Sequence, residues 1–186
     1  MNAGPKHFVL AARLLHWSMA VAIVAMLFIG VSMVSTVGWW HPRLLALHRP
    51  LGIAILLLAA IRLAVRLTNP PPPLPADLPG LQKLMATASH WLLYALMIAM
   101  PLVGWAMVSA SGTPVMLTGS IRLFPIAPHD IALYGILRQA HTVLGIALFL
   151  VFVAHMSAAL LHGLIRRDGV FDSMALHPFR RRPARL

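Results

Sequence analysis

His141, His155 and His162 interrupt a stretch from Arg138 to the Arg166-Arg167 pair that otherwise holds no acidic or basic residue between these flanking arginines. An ionisable side chain in so apolar a run is costly and marks a functional position by default. Fourteen residues separate His141 from His155. At about 100° per residue that is close to four whole helical turns, so the two imidazoles share one face, roughly 21 Å apart along the axis. His162, seven residues further on, returns to that face. A helix with an imidazole near each membrane surface on one stripe is what two stacked b-type haems require. The plain alternative is a set of core histidines hydrogen-bonded between helices.

The elements that must position these side chains follow from composition. The chain has 186 residues, 60% hydrophobic and 10% charged, against about 25% charged in a soluble domain. It reads as one membrane-embedded all-α domain covering 1–186, a four-helix transmembrane bundle with helices at about 12–35, 48–67, 87–110 and 138–166. There is no cysteine, which excludes disulfides, iron–sulfur clusters and thioether-attached haem. There is no glutamate, and only Asp77, Asp130, Asp168 and Asp172 are acidic, which argues against paired-carboxylate chemistry. The net charge of +11 invites nucleic acid as a partner. The basic residues flank apolar spans, however, so topology and the lipid bilayer explain them and no nucleic-acid partner is expected.

In chain order, the first span could pass for a signal peptide. Its length and the His16-Trp17 pair point to a retained helix. Pro50 is expected in the first turn of helix two, the proline-rich stretch 68–83 in a stiff inner loop, and Pro101 at a kink in helix three. Residues 111–137 form a longer outer loop with a short surface helix expected at 128–136. The basic tail 167–186 is expected on the surface or disordered. Four spans put both termini on one side. Eleven of the lysines and arginines fall there and four, Arg43, Arg49, Arg122 and Arg138, on the other. The positive-inside rule then makes the N- and C-termini cytoplasmic, in a bacterial inner membrane.

Depth sorts the histidines. His48 and His141 lie at the outer ends of helices two and four and pair. His155 lies at the inner end and pairs with His16 or His90. A porphyrin standing against a helix needs a small residue one turn on. Gly52 follows His48, Gly145 follows His141, Ala159 follows His155 and Ala20 follows His16, whereas Tyr94 follows His90. The steric test favours His16 with His155 and leaves His90 beside the haem or facing quinone. Arg62, fourteen residues after His48, reaches the depth of the inner pair, as a propionate partner or snorkelling to the surface.

Several motifs resemble the bacterial cytochrome b561 family, and within it the superoxide-oxidising members. They are His16-Trp17, His48 with Gly52, the proline-rich inner loop, SHWLLYALMIAMPLVG through His90 to Gly104, Gly112 with Pro114, QAHTVLG and AHMSAALLHG. The resemblance covers nearly the whole chain. It implies two haem b groups, with His16 and His155 on one iron and His48 and His141 on the other. It also implies superoxide as donor at the outer face and ubiquinone as acceptor near His162. Arg138, together with Arg43, Arg49, Arg122 and His129, would then form a positive mouth that draws in the anion. A rival reading keeps the haems and makes the chain the membrane cytochrome of a dehydrogenase or of a periplasmic redox partner protein. A more distant one is a histidine-lined metal transporter.

Overall fold

The computed structural model describes residues 7–176; the cations at Lys6, Arg180, Arg181, Arg182 and Arg185 lie outside them. Four helices are long and apolar enough to cross a membrane: α1 (Leu10–Ser35), α2 (Trp40–Thr68), α3 (Gly80–Ala110) and α4 (Ile131–Leu160), which runs on as a π-helical turn, Leu161–Arg166. A short α5 (Val170–Met174) and a two-stranded antiparallel pair, β1 (Val115–Met116) and β2 (Arg122–Leu123), complete the fold. The expected all-α four-helix bundle is therefore present.

The bundle closes around Met19, Ile23, Ile55, Ala59, Tyr94, Leu96, Met97 and Leu148. Large apolar residues point outward, among them Val21, Phe28, Leu57 and Phe149. That is the pattern of helices whose outer faces are solvated by lipid tails.

Each helix begins earlier than the residue pattern suggests, for local reasons. Helix two starts at Trp40, so the proline in its first turn is Pro42 and Pro50 lies in the interior. There Pro50 leaves the carbonyl of Ala46 without its helical partner, two residues from His48. Helix three starts at Gly80 immediately after Pro79, because 80–86 contains good helix formers and no further proline. Helix four starts at Ile131, where Asp130 Oδ1 accepts a hydrogen bond from the Leu133 N–H at 3.0 Å. The surface helix expected at 128–136 is thus the first turn of helix four, and an acidic N-cap is the signal that marks it.

Of the tail 167–186, residues 167–176 are described and turn back on the bundle, while 177–186 lie outside the described residues. Arg167 (φ 50°) and Gly169 (φ 85°) reverse the chain, and α5 folds back against the start of α1. The Phe8 N–H donates to the Ser173 carbonyl at 3.1 Å, the Trp17 indole N–H to the Met174 carbonyl at 3.1 Å, and the Arg13 guanidinium to the carbonyls of Ala175 and Leu176. Both ends of the described chain therefore meet at one end of the bundle. Trp17 ties that junction.

At the opposite end the loop 111–130 is pinned. The Trp105 indole N–H donates to the Phe124 carbonyl at 2.9 Å, and the Asp130 N–H to the Ala110 carbonyl at 3.0 Å. Gly112 has φ +76°, and a Cβ there would lie 2.5 Å from His129 Nδ1. The His129 ring cannot easily withdraw, since its Nδ1 is 3.2 Å from the Ala110 carbonyl. Gly112→Ala is therefore expected to destabilise this cap by about 1–3 kcal/mol, combining left-handed backbone strain with the clash. A lower thermal midpoint in detergent, with no lowering in Gly135→Ala, whose Cβ would meet nothing within 4 Å in a helix that favours alanine, checks it.

Candidate functional site

Six histidines project into or border the bundle, and the fold sorts them by depth. At the end away from the termini, His48 on α2 faces His141 on α4, with ring centroids 6.1 Å apart and planes at 67°. At the terminal end, His16 on α1 faces His155 on α4 at 6.3 Å and 69°. His90 on α3 also reaches His155, at 5.5 Å. The group at the terminal end is thus three imidazoles rather than two, and both candidates for the partner of His155 stand against it.

These spacings bear on what the rings could hold. An imidazole nitrogen sits about 2 Å from a bound transition metal and about 1 Å in front of its ring centroid, so two imidazoles on one metal stand about 6 Å apart. The 6.1 and 6.3 Å pairs meet that requirement. Nδ1 of His16, His48 and His141 is buried without a hydrogen-bond partner among the described residues. A buried polar nitrogen left alone is expensive unless another group takes up the ring. The donor set consists of neutral nitrogen ligands in an apolar sleeve, which suits haem iron. The residues present therefore fit two axial imidazole pairs.

The small residues one turn on have different neighbours. A Cβ at Gly52 would lie 3.7 Å from the Met26 methyl, and one at Gly145 would lie 3.6 Å from the Met100 methyl. Both positions thus face flexible methionine tips, which move at low cost. A tighter approach is at Gly104 on α3, where a Cβ would come within 3.0 Å of His141 Cε1. Gly104 lets α3 pass against the His141 ring, a role that its place in the quoted motif did not reveal.

Arg62 and Arg66 lie on the α2 face toward α3. The Arg62 guanidinium stands 5.7 Å from the Tyr94 ring centroid, and that of Arg66 stands 5.7 Å from Trp91 and 5.9 Å from Tyr94. Both arginines line a small cavity with Asn69, Tyr94 and Met174. Neither has an ion-pair partner among the described residues. Two cations held on aromatic faces beside the imidazoles at the terminal end are suited to anionic carboxylates. Tyr94, read from sequence only as an obstruction one turn from His90, is the platform that holds both.

The expected positive mouth is divided. Arg122 and His129 line one cavity of about 300 Å³ under the β-hairpin. Arg43 is stacked on Trp39 and Trp40 at 4.5 and 5.2 Å. Arg138 is exposed, three residues before His141 on α4. His162 is remote from the cluster at that end. Its Nδ1 lies 2.6 Å from Asp168 Oδ2, and Arg166 joins the same oxygen at 3.3 Å and Asp77 at 3.2 Å. The sequence pattern did not single out Asp168; the acidic residue six positions after His162, beyond the helix end, was the available signal.

A family model described as prokaryotic cytochrome b561 matches residues 7–176. The chain is 28% identical over 174 residues to cytochrome b561 homolog 2 of Escherichia coli (strain K12), covering 91% of this chain and 92% of that protein. It is 31% identical over 140 residues to the probable superoxide oxidase CybB of Yersinia pestis, covering 73% of this chain and 76% of that protein.

Proposed function

The chain belongs to the prokaryotic cytochrome b561 family of electron-transfer membrane proteins, and from that premise we propose that it holds two haem b groups, oxidises superoxide at one face and reduces ubiquinone at the other. The observation that carries this reading is the pair of imidazole pairs, His48 with His141 at 6.1 Å and His16 with His155 at 6.3 Å, at opposite ends of α4. Held by these pairs, haem iron would supply a one-electron couple.

The chain's own residues supply the rest. Superoxide gives up one electron and leaves as O₂, and two such events reduce one quinone, which takes up two protons. Arg122, His129 and the exposed Arg138 raise the local concentration of the anion near His48 and His141. Arg62 and Arg66 take the carboxylates of the inner group. His162 stands at the acceptor site. The described cations support an inner-membrane orientation with the termini in the cytoplasm. Arg13, Arg62, Arg66, Lys83, Arg166 and Arg167 lie at the terminal end, and Arg43, Arg49, Arg122 and Arg138 at the other. The positive-inside rule assigns the richer end to the cytoplasm.

The 31% identity to a probable superoxide oxidase favours superoxide over a dehydrogenase or another redox partner as donor. Stopped-flow mixing of the purified protein with superoxide, with no other protein present, should produce a reduced b-type spectrum. Raising ionic strength to 0.15 M, where screening acts within about 8 Å, should slow this step several-fold. Arg138→Gln should slow it about three- to tenfold at low salt, as expected for lost steering. A protein that stays oxidised with superoxide, but is reduced by a partner dehydrogenase, would transfer the assignment to the rival reading.

A further inference from the structure

We propose that Asp168 is the positioning residue that orients His162 for proton delivery to the quinone, an inference that rests on the acceptor site being at His162. The geometry begins with the end of helix four. The chain leaves the α-helix at Leu161 and makes one π-turn, in which the Arg167 N–H donates to the His162 carbonyl at 2.8 Å. Such wide turns recur where a helix must aim a functional side chain. Arg167 then takes φ 50°, and the next residue, Asp168, swings back beneath the imidazole.

Asp168 makes three contacts with its two oxygens. Oδ1 accepts from the Val170 N–H at 3.2 Å and so holds the start of α5. Oδ2 lies 2.6 Å from His162 Nδ1 and 3.3 Å from Arg166 Nε. Arg166 also donates to Asp77 at 3.2 Å and to Gln82 at 3.3 Å, both from the segment before or in the first turn of α3. The His162 and Asp168 side chains are only 18% and 13% exposed, so this is a shielded pair and not a water-screened surface contact. Phe171 packs over Gly163, where a Cβ would lie 3.0 Å from its ring, and closes the other side of the turn.

With its Nδ1–H committed to the carboxylate, His162 has Nε2 as its exchangeable nitrogen, and Nε2 makes no hydrogen bond among the described residues. This is how a carboxylate fixes the working face of an imidazole. The step balances as follows. A quinone receiving two electrons, one from each of two superoxide anions at the far face, needs two protons to become the quinol. The doubly protonated His162 breaks its Nε2–H bond and gives that proton to one quinol oxygen. It keeps Nδ1–H on Asp168 and is recharged from water at the terminal end. The second proton comes from the same water. Arg166, bonded to both Asp168 and Asp77, holds the carboxylate in register between α4 and the loop before α3.

The test separates positioning from mere support of the fold. Asp168→Ser keeps a hydroxyl to cap α5 but is too short to reach His162; Asp168→Glu keeps the carboxylate. In the reduced holoprotein labelled with ¹⁵N-histidine, wild type should show an Nδ1–H resonance that vanishes in His162→Gln. It should also vanish in Asp168→Ser and return in Asp168→Glu. In turnover with ubiquinone-1, Asp168→Ser should lower kcat about tenfold with KM within twofold and raise the solvent isotope effect, and Asp168→Glu should recover most of kcat. Persistence of the resonance in Asp168→Ser overturns the proposal, as does wild-type kcat with an unchanged isotope effect in that variant. Failure of the wild type itself to reduce ubiquinone removes the acceptor-site reading on which the proposal stands, and is told apart because the resonance is read without quinone.

Discussion

Alanine at His48 or His141 is expected to yield protein with half the haem of the wild type and with superoxide-driven reduction slowed at least a hundredfold. The two rings stand 6.1 Å apart and belong to different helices, so each is the sole counterpart of the other at that end of the bundle. Replacing even a group that only supports a metal ligand costs about 10–100-fold in affinity; losing an axial imidazole itself costs more. Among the described residues no other histidine faces this pair. His41 and His129, the remaining histidines at that end, lie outside the imidazole cluster, and His129 is held 3.2 Å from the Ala110 carbonyl. The measurement is haem per chain by pyridine haemochrome, with the stopped-flow reaction alongside. Because His155 lies about 21 Å from His141 along α4, the surviving haem should keep a normal reduced band with dithionite. Two haems per chain in both variants would mean that neither side chain is an axial ligand, and the paired-imidazole reading of that end would fail.

The parts of this architecture that were legible in the sequence were those set by periodicity and composition. The fourteen-residue step from His141 to His155 survives any shift of helix boundaries, because it depends only on the helix being continuous between them. The small residues at Gly52 and Gly145 were visible for the same reason. The helix ends were not, since they depend on single contacts. The Asp130 cap and the placement of Pro42 rather than Pro50 in a first turn decide where α4 and α2 begin. The Asp168 contact with His162 was hidden because it needs two left-handed residues, Arg167 and Gly169, and nothing in apolar patterning announces a reversal of chain direction. Gly104 against His141 was hidden for a further reason: a contact between two helices has no signature within either one.

The inner group poses the sharper choice, since His155 has two neighbours, and His16→Ala should separate them. His16 stands 6.3 Å from His155 and His90 stands 5.5 Å from it. Two rings sharing one metal need about 6 Å between centroids, so the His90 spacing is short by about half an ångström and the His16 spacing is sufficient. The His16 Nδ1 is also buried without a partner among the described residues. Tyr94, one turn from His90, is buried at 6% exposure and holds Arg62 and Arg66 on its ring, so α3 presents a filled surface where a porphyrin would need room. Ala20 leaves that room on α1. The expectation is that His16→Ala and His155→Ala each lose one haem per chain and reduce quinone at less than about a hundredth of the wild-type rate, while His90→Ala keeps two haems. His90 should act instead through the ring it touches: its alanine variant should shift the midpoint potential of one haem and leave the other unchanged. Retention of both haems in His16→Ala, together with loss of one in His90→Ala, would move the inner ligand from α1 to α3 and make the 5.5 Å pair the axial one.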